Sequence, residues 1–205
     1  MSSSSSELRV VAAEAARAAG ELLVQRFVQG GEEVRTKSTL TDPVSEADLA
    51  AERAIREVLQ ARRPEDAIIG EEGGESAGVD PPGGPSGLRW IVDPLDGTVN
   101  FLYGIGHWCV SVAVHDDEGG LAGVIFDPLR DELFAAERGG VTTLNGRPLE
   151  RSLSDELAMA MVATGFAYDA AVREHQGAVV AAMLPRVRDV RRLGSAALDL
   201  AWTAA

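Results

Sequence analysis

The chain has 205 residues, 45% of them apolar and 25% charged, enough for one domain with a sizeable core or for two closely joined halves. Its 19 basic against 32 acidic residues give a formal charge of -13, which disfavours nucleic-acid backbones and anionic membranes, and its single cysteine, Cys109, excludes an intramolecular disulfide and a cysteine-based zinc cage. No apolar run approaches the roughly eighteen residues that span a bilayer, and the serine-rich start has neither the basic nor the apolar part of a signal peptide, so a cytoplasmic protein is expected.

Met1 to Ser6 is low-complexity polar sequence and reads as a disordered tail. From Glu7 onward Leu8, Val11, Ala15, Ala18 and Leu22 recur at spacings of three and four, which predicts an amphipathic helix over 7–29 that ends near Gly30-Gly31. Glu32 to Thr41, with Lys37, reads as a loop. Ser45-Glu46-Ala47-Asp48 is an S-x-x-D capping box heading a helix over 45–63 that Pro64 stops. Asp48 therefore has a structural explanation as the residue that reaches back to the cap. Asp66 to Glu72 is a short apolar strand whose end carries Glu71 and Glu72. The glycine- and proline-rich stretch from Gly73 to Gly87 reads as a surface loop.

Trp90-Ile91-Val92-Asp93-Pro94-Leu95-Asp96-Gly97-Thr98-Val99-Asn100-Phe101 is the stretch on which the chemistry centres. Trp90 to Val92 fits a core strand that Pro94 stops from pairing further, leaving Asp93 at its end and Asp96 on the following turn. Two aspartates so placed are hard oxygen ligands suited to Mg²⁺, and a helix opening at Gly97-Thr98 offers free amides to a phosphate. The bland reading of Asp-Gly is an ordinary turn. If the strand of Ile68-Ile69 lies beside that of Ile91-Val92, Glu71 joins Asp93 at one sheet edge, and acids so close repel unless a cation lies between them.

Trp108 to Val114, Leu121 to Phe126 and Glu132 to Ala136 predict an antiparallel meander, with His107, Trp108 and Cys109 as packing residues and Asn145-Gly146 as a tight turn. Leu157 to Gly165 reads as a strand, Ala170 to Leu184 as helix, and the four arginines of 186–192 first as a solvated face and second as an anion site. Gly194-Ser195 starts a helix through Leu198, Leu200 and Trp202 that has no evident partner in the remaining sequence, a hint of a missing segment.

Taken together, D-P-V-S-E-A-D, G-E-E, W-I-V-D-P-L-D-G-T-V-N-F and G-S-A-A-L-D-L, in this order, resemble the inositol monophosphatases, of the bacterial inositol-1-monophosphatase kind. The resemblance implies an α/β (α+β) fold, a layered αβαβα sandwich. Its N-terminal half, over 7–150, would carry the metal site on a mainly antiparallel sheet, and its second half, over 151–205, would be incomplete. It also implies that Glu71, Asp93 and the Leu95 carbonyl hold one Mg²⁺, and that Asp93 and Asp96 share a second. Gly97 and Thr98 would bind phosphate, while Thr98 with Asp48 or Glu71 would position and deprotonate a water, supported by Glu72 and Lys37. Gly194, Ser195 and Ala196 match the substrate-side turn. A homodimer is expected, with a small phosphorylated substrate: inositol monophosphate first, then histidinol phosphate, fructose bisphosphate or phosphoadenosine phosphate. The competing reading is a catalytically weak fragment or pseudo-enzyme. Two departures stand out. Val99 replaces the second threonine usual in the family, and the family's W-D-x-A-A-G segment is expected to be missing after Ala205.

Overall fold

The computed structural model describes residues 4–29, 34–36, 43–70, 85–150 and 156–205; for 34–36 and 43–45 it describes the backbone alone. The first helix, α1, is Ser5–Gln29. It starts inside the expected tail of 1–6, and the reason is local. The Ser4 amide donates to the Glu7 carboxylate at 2.9 Å while the Glu7 amide donates to Ser4 Oγ at 3.2 Å, a reciprocal capping box hidden in a run of serines. Its buried stripe runs through Leu8, Val11, Ala15, Ala19 and Leu23. A Cβ on Gly20 would come within 2.7 Å of the Phe126 ring, so glycine there lets the helix lie close on the sheet.

Two short strands, β1 (Val34–Thr36) and β2 (Pro43–Ser45), pair antiparallel and lead into α2 (Glu46–Arg62). The face of α2 that packs inward buries Ala47, Ala51, Ile55 and Leu59, and with them two acids, Asp48 and Glu52. Buried carboxylates on a core-facing stripe are informative in a way that exposed apolar residues are not.

The main sheet follows as β3 (Ala67–Gly70), β4 (Arg89–Asp96), β5 (Cys109–Asp116), β6 (Gly119–Asp127), β7 (Glu132–Glu137), β8 (Thr143–Leu144) and β9 (Arg147–Pro148), in that spatial order. A one-turn helix, α3 (Thr98–Leu102), lies between β4 and β5. β3 runs parallel to β4 and every other pair is antiparallel, so the sheet is mixed but mainly antiparallel. Ile68 pairs with Trp90 and Ile69 with Ile91, the adjacency that the site needs. The turn at Asn145-Gly146 has positive φ at both residues, 49° and 77°, the backbone of a type I′ hairpin turn. Helices α1 and α2 cover one face of this sheet, and the shared core holds Trp90, Val92, Leu95, Val112 and Phe126.

Beyond residue 155 a turn of 3-10 helix at Leu157–Met159 precedes β10 (Met161–Ala163), so the strand expected over 157–165 is reduced to its middle. β10 pairs parallel with β11 (Asp189–Arg191) across the helix α4 (Ala170–Met183). The last helix, α5 (Ala196–Ala204), corrects the expectation that its apolar side lacks a partner. Leu198 is fully buried, and α5 packs on β5 and β6. Trp202 donates to Glu132 at 3.1 Å and lies under the Arg130 guanidinium, 5.1 Å from its ring centre. The partner is the second face of the main sheet, contributed by chain far upstream. The result is helix, sheet and helix in layers.

Candidate active site

The two aspartates of the central stretch are brought together by an irregularity. On β4 and β5 Asp93 pairs with Ser111 and Asp96 with Cys109, three steps along one strand against two along the other. In an unbroken strand, side chains three apart face opposite sides of a sheet. The extra residue is a bulge that restores the phase. Trp90, Val92 and Leu95 all remain in the core, while Asp93 and Asp96 are both half-buried at the strand end. Pro94, which cannot donate a ladder hydrogen bond, sits within the bulge. The Leu95 amide turns to Asp93 Oδ1 at 3.1 Å, which fixes that carboxylate against the turn.

Gly97 has φ 101° and ψ 32° and links the bulge to α3. Thr98 then begins α3 with its amide lacking an intrahelical acceptor. Its hydroxyl lies 3.0 Å from Asp48 Oδ1 and 3.0 Å from the Leu95 carbonyl oxygen. One hydroxyl proton serves two acceptors, so Thr98 Oγ can donate to one while its lone pairs face outward. Asp48, 1% exposed, is the acid in the most secluded position here. Its expected role in a capping box rests on Ser45, whose side chain lies outside the described residues. Its contact with Thr98 joins α2 to the turn across fifty residues of chain.

Asp96 is held from the other side. Its Oδ2 accepts from the Ser195 hydroxyl at 2.6 Å and from the Ala197 amide at 2.6 Å, at the start of α5, and Cys109 Sγ lies 3.9 Å away. Burial, with the Asp96 charge adding to it, pushes the Cys109 thiol well above its ordinary range, so this cysteine stays protonated and unreactive. Of the expected substrate-side turn, Gly194 is half-buried and Ala196 exposed, whereas Ser195 is fully buried. Gly194 takes φ 102°, and a Cβ there would stand 2.8 Å from Asn100 Nδ2.

Lys37, Glu71 and Glu72 lie outside the described residues. The β3–β4 register runs up to Gly70 opposite Val92, where the description of β3 ends. Among the described residues no group of three or more His, Cys, Asp or Glu side chains gathers as a cation cage. The Asp93 and Asp96 carboxylates and the Leu95 carbonyl all lie at one strand end, and as oxygen donors they could serve Mg²⁺ better than a softer metal.

Three contributors went unassigned in the sequence. Asn100 is buried and donates to the carbonyls of His107 at 2.7 Å and Leu193 at 2.8 Å, so it ties α3 to the turn before α5. Its only sequence signal was membership of the central motif. Glu52 lies one helical turn after Asp48 on the same buried face, a spacing that could have flagged it. Among the described residues, the buried Asp199 Oδ1 and His107 Nε2 have no hydrogen-bond partner. Burial raises the Asp199 carboxyl, with the His107 charge opposing it, and burial lowers the His107 imidazole.

The sequence profile of the inositol monophosphatase family matches residues 4–205. An inositol-1-monophosphatase from Mycobacterium leprae is 46% identical over 180 residues, which cover 86% of this chain and 62% of that protein. The chain thus spans less than two thirds of the length of that relative. A protein named Nus factor SuhB from Xylella fastidiosa is 40% identical over 193 residues, covering 93% of this chain and 67% of its own. Among solved structures, the extragenic suppressor protein suhB from Bartonella henselae superposes with a TM-score of 0.86 at 38% identity, over 97% of this chain and 75% of that one.

Proposed function

Because the chain belongs to the inositol monophosphatase family, we propose that it hydrolyses a small phosphate monoester, inositol monophosphate before other esters, in a Mg²⁺-dependent reaction at the end of β4. The observation that carries this reading is the Thr98 hydroxyl held at 3.0 Å from the buried carboxylate of Asp48, directly beside the bulge that presents Asp93 and Asp96.

In this reading the Asp93 and Asp96 carboxylates and the Leu95 carbonyl, with Glu71, would hold two divalent cations that share Asp93, and when bound these would neutralise phosphoryl charge and lower the pKa of water. Thr98 accepts the proton of the attacking water as it passes its own to Asp48, which the 3.0 Å contact allows. The Gly97 and Thr98 amides donate to the phosphate oxygens, and the Gly194 to Ala196 turn borders the alcohol being released. Glu72 and Lys37 are assigned supporting roles toward the attacking water. The segment 7–150 supplies the ligands and the base, and 151–205 supplies the turn that backs Asp96. Unassisted hydrolysis of phosphate monoesters is slow enough that such a site must lower the barrier by about 20 kcal/mol or more.

The test is phosphate release from inositol 1-phosphate as a function of Mg²⁺, for the chain and for Asp93→Asn. We expect Mg²⁺-dependent turnover that the substitution abolishes. Equal turnover in the two proteins would overturn the ligand assignment.

A further inference from the structure

We propose that Ser195 is a positioning residue for the cation site: with the Ala197 amide it immobilises one oxygen of Asp96, so that the other is presented to the metal. The proposal rests on Asp96 being a ligand, as argued above, and goes beyond it by assigning the hydroxyl of Ser195 to the carboxylate rather than to substrate.

The two oxygens of Asp96 have different surroundings. Oδ2 receives two short hydrogen bonds, from Ser195 Oγ at 2.6 Å and from Ala197 N at 2.6 Å. Among the described residues no hydrogen bond falls on Oδ1. A carboxylate on a half-buried turn can rotate about its last torsion, and two donors on one oxygen remove that freedom. Ser195 can act this way because it is itself fixed. It is fully buried, its Oγ accepts from the Leu198 amide at 3.3 Å as the N-cap of α5, and Cys109 Sγ lies 3.5 Å away. A buried hydroxyl with its proton spent on Asp96, one lone pair on the Leu198 amide and the Cys109 thiol beside it has no proton left to donate to a ligand.

The turn that carries Ser195 is in turn clamped by the motif that carries Asp96. Asn100 donates to the Leu193 carbonyl at 2.8 Å, two residues before Ser195, and the glycine between them has φ 102° with Asn100 packed against it. Asp96 and Asn100 therefore grip 193–197 at two points four residues apart on their own side. This makes the approach of 193–197 a condition for the geometry of Asp96. Outer groups that orient a metal ligand are commonly worth about 10-fold to 100-fold in metal affinity.

The experiment is Mn²⁺ titration of the 205-residue chain, read by the loss of the free-ion electron paramagnetic resonance signal, for the parent, Asp96→Asn, Ser195→Ala, Ser195→Gly and Asp169→Ala. Glycine is nearly as good an N-cap as serine, so Ser195→Gly deletes the hydroxyl while leaving the start of α5 almost as stable. It decides the matter if the alanine variant fails to fold. Asp169 caps α4 through the Val172 amide and serves as the control for a lost cap. We expect Asp96→Asn to lose binding, both Ser195 variants to raise Kd about 10-fold or more, and Asp169→Ala to keep the parent Kd. Loss of binding in Asp96→Asn with an unchanged Kd in Ser195→Gly would overturn the positioning role alone. An unchanged Kd in Asp96→Asn would overturn the ligand assignment and this inference with it. An equal rise in Asp169→Ala would reduce the Ser195 effect to general destabilisation and overturn the inference.

Discussion

Replacing Gly97 by alanine tests the turn that joins the proposed metal ligands on β4 to α3. Two costs add there. At φ 101° an L side chain is strained, which costs about 1–3 kcal/mol. The new Cβ would also stand 3.0 Å from the His107 carbonyl oxygen, 3.1 Å from Trp108 Cβ and 3.2 Å from Trp108 Cα. None of these atoms is the end of a flexible side chain, so relief requires moving the backbone at the start of β5, and overpacking of this kind costs about 1–3 kcal/mol. We expect a loss of about 3–4 kcal/mol, and at roughly 2–4 °C per kcal/mol for a chain of this size the melting temperature should fall by about 6–16 °C. Gly104 is the control: its φ is 70°, but among the described residues nothing lies within 4 Å of its would-be Cβ, so Gly104→Ala carries the conformational cost alone, about 1–2 kcal/mol. Urea unfolding followed by tryptophan fluorescence, with Trp90 and Trp108 both fully buried, reads both variants. A Gly97→Ala protein no less stable than Gly104→Ala would refute the crowding argument.

Gly70→Ala should cost about 1–2 kcal/mol, because the new Cβ meets the buried Glu52 carboxylate, which is ion-paired with Arg56 and must be displaced; the cost measured in a Glu52→Ala background should be smaller, and equal costs in the two backgrounds would show that Glu52 is not the obstacle. His107, whose imidazole is lowered from 6.5 first by burial and then by the Arg130 charge, is neutral in the folded state where the unfolded chain still binds a proton. Its contribution to stability is therefore present above pH 6.5 and is lost as pH falls below that through the folded value, so melting temperatures from pH 7.5 to 5 should fall less steeply for His107→Gln than for the parent, and parallel curves would count against it.

Much of the frame was legible because its signals are local. The alternation of Trp108 to Val114 needed only period-two patterning and short connections, whereas the pairing of Ile68-Ile69 with the central strand, across a long connection, could be stated only as a condition. The Asn145-Gly146 hairpin followed from side-chain sterics. The phase of α1 was less sharp. Its stripe passes through Ala19 and Leu23 rather than Ala18 and Leu22, since an alanine-rich helix offers several near-equivalent faces. At the site, Asp48, Asp93, Asp96 and Thr98 could be named because they sit in compact motifs, and the structure describes Thr98 against Asp48. The bulge at Pro94-Leu95 was not legible, because a register shift belongs to two strands and is written in neither. Nor was the burial of Leu198 or the grip of Ser195 on Asp96, whose partners lie some hundred positions apart and leave no trace in spacing.

The distance along the chain from Asp96 to Ser195, 99 residues, also sets a timetable. During synthesis at about 5–20 residues per second, the carboxylate is made some 5–20 seconds before the hydroxyl that secures it. The strands from β4 to β7 are all synthesised by Glu137, before α5 arrives to pack on β5 and β6, so their pairing can begin on the ribosome while Asp96 still lacks its two donors. Contacts of such long separation close late and slowly, because the entropy of the intervening loop must be lost first. A nascent chain paused between β9 and β11 would thus carry paired strands with Asp96 still lacking the two donors that hold it.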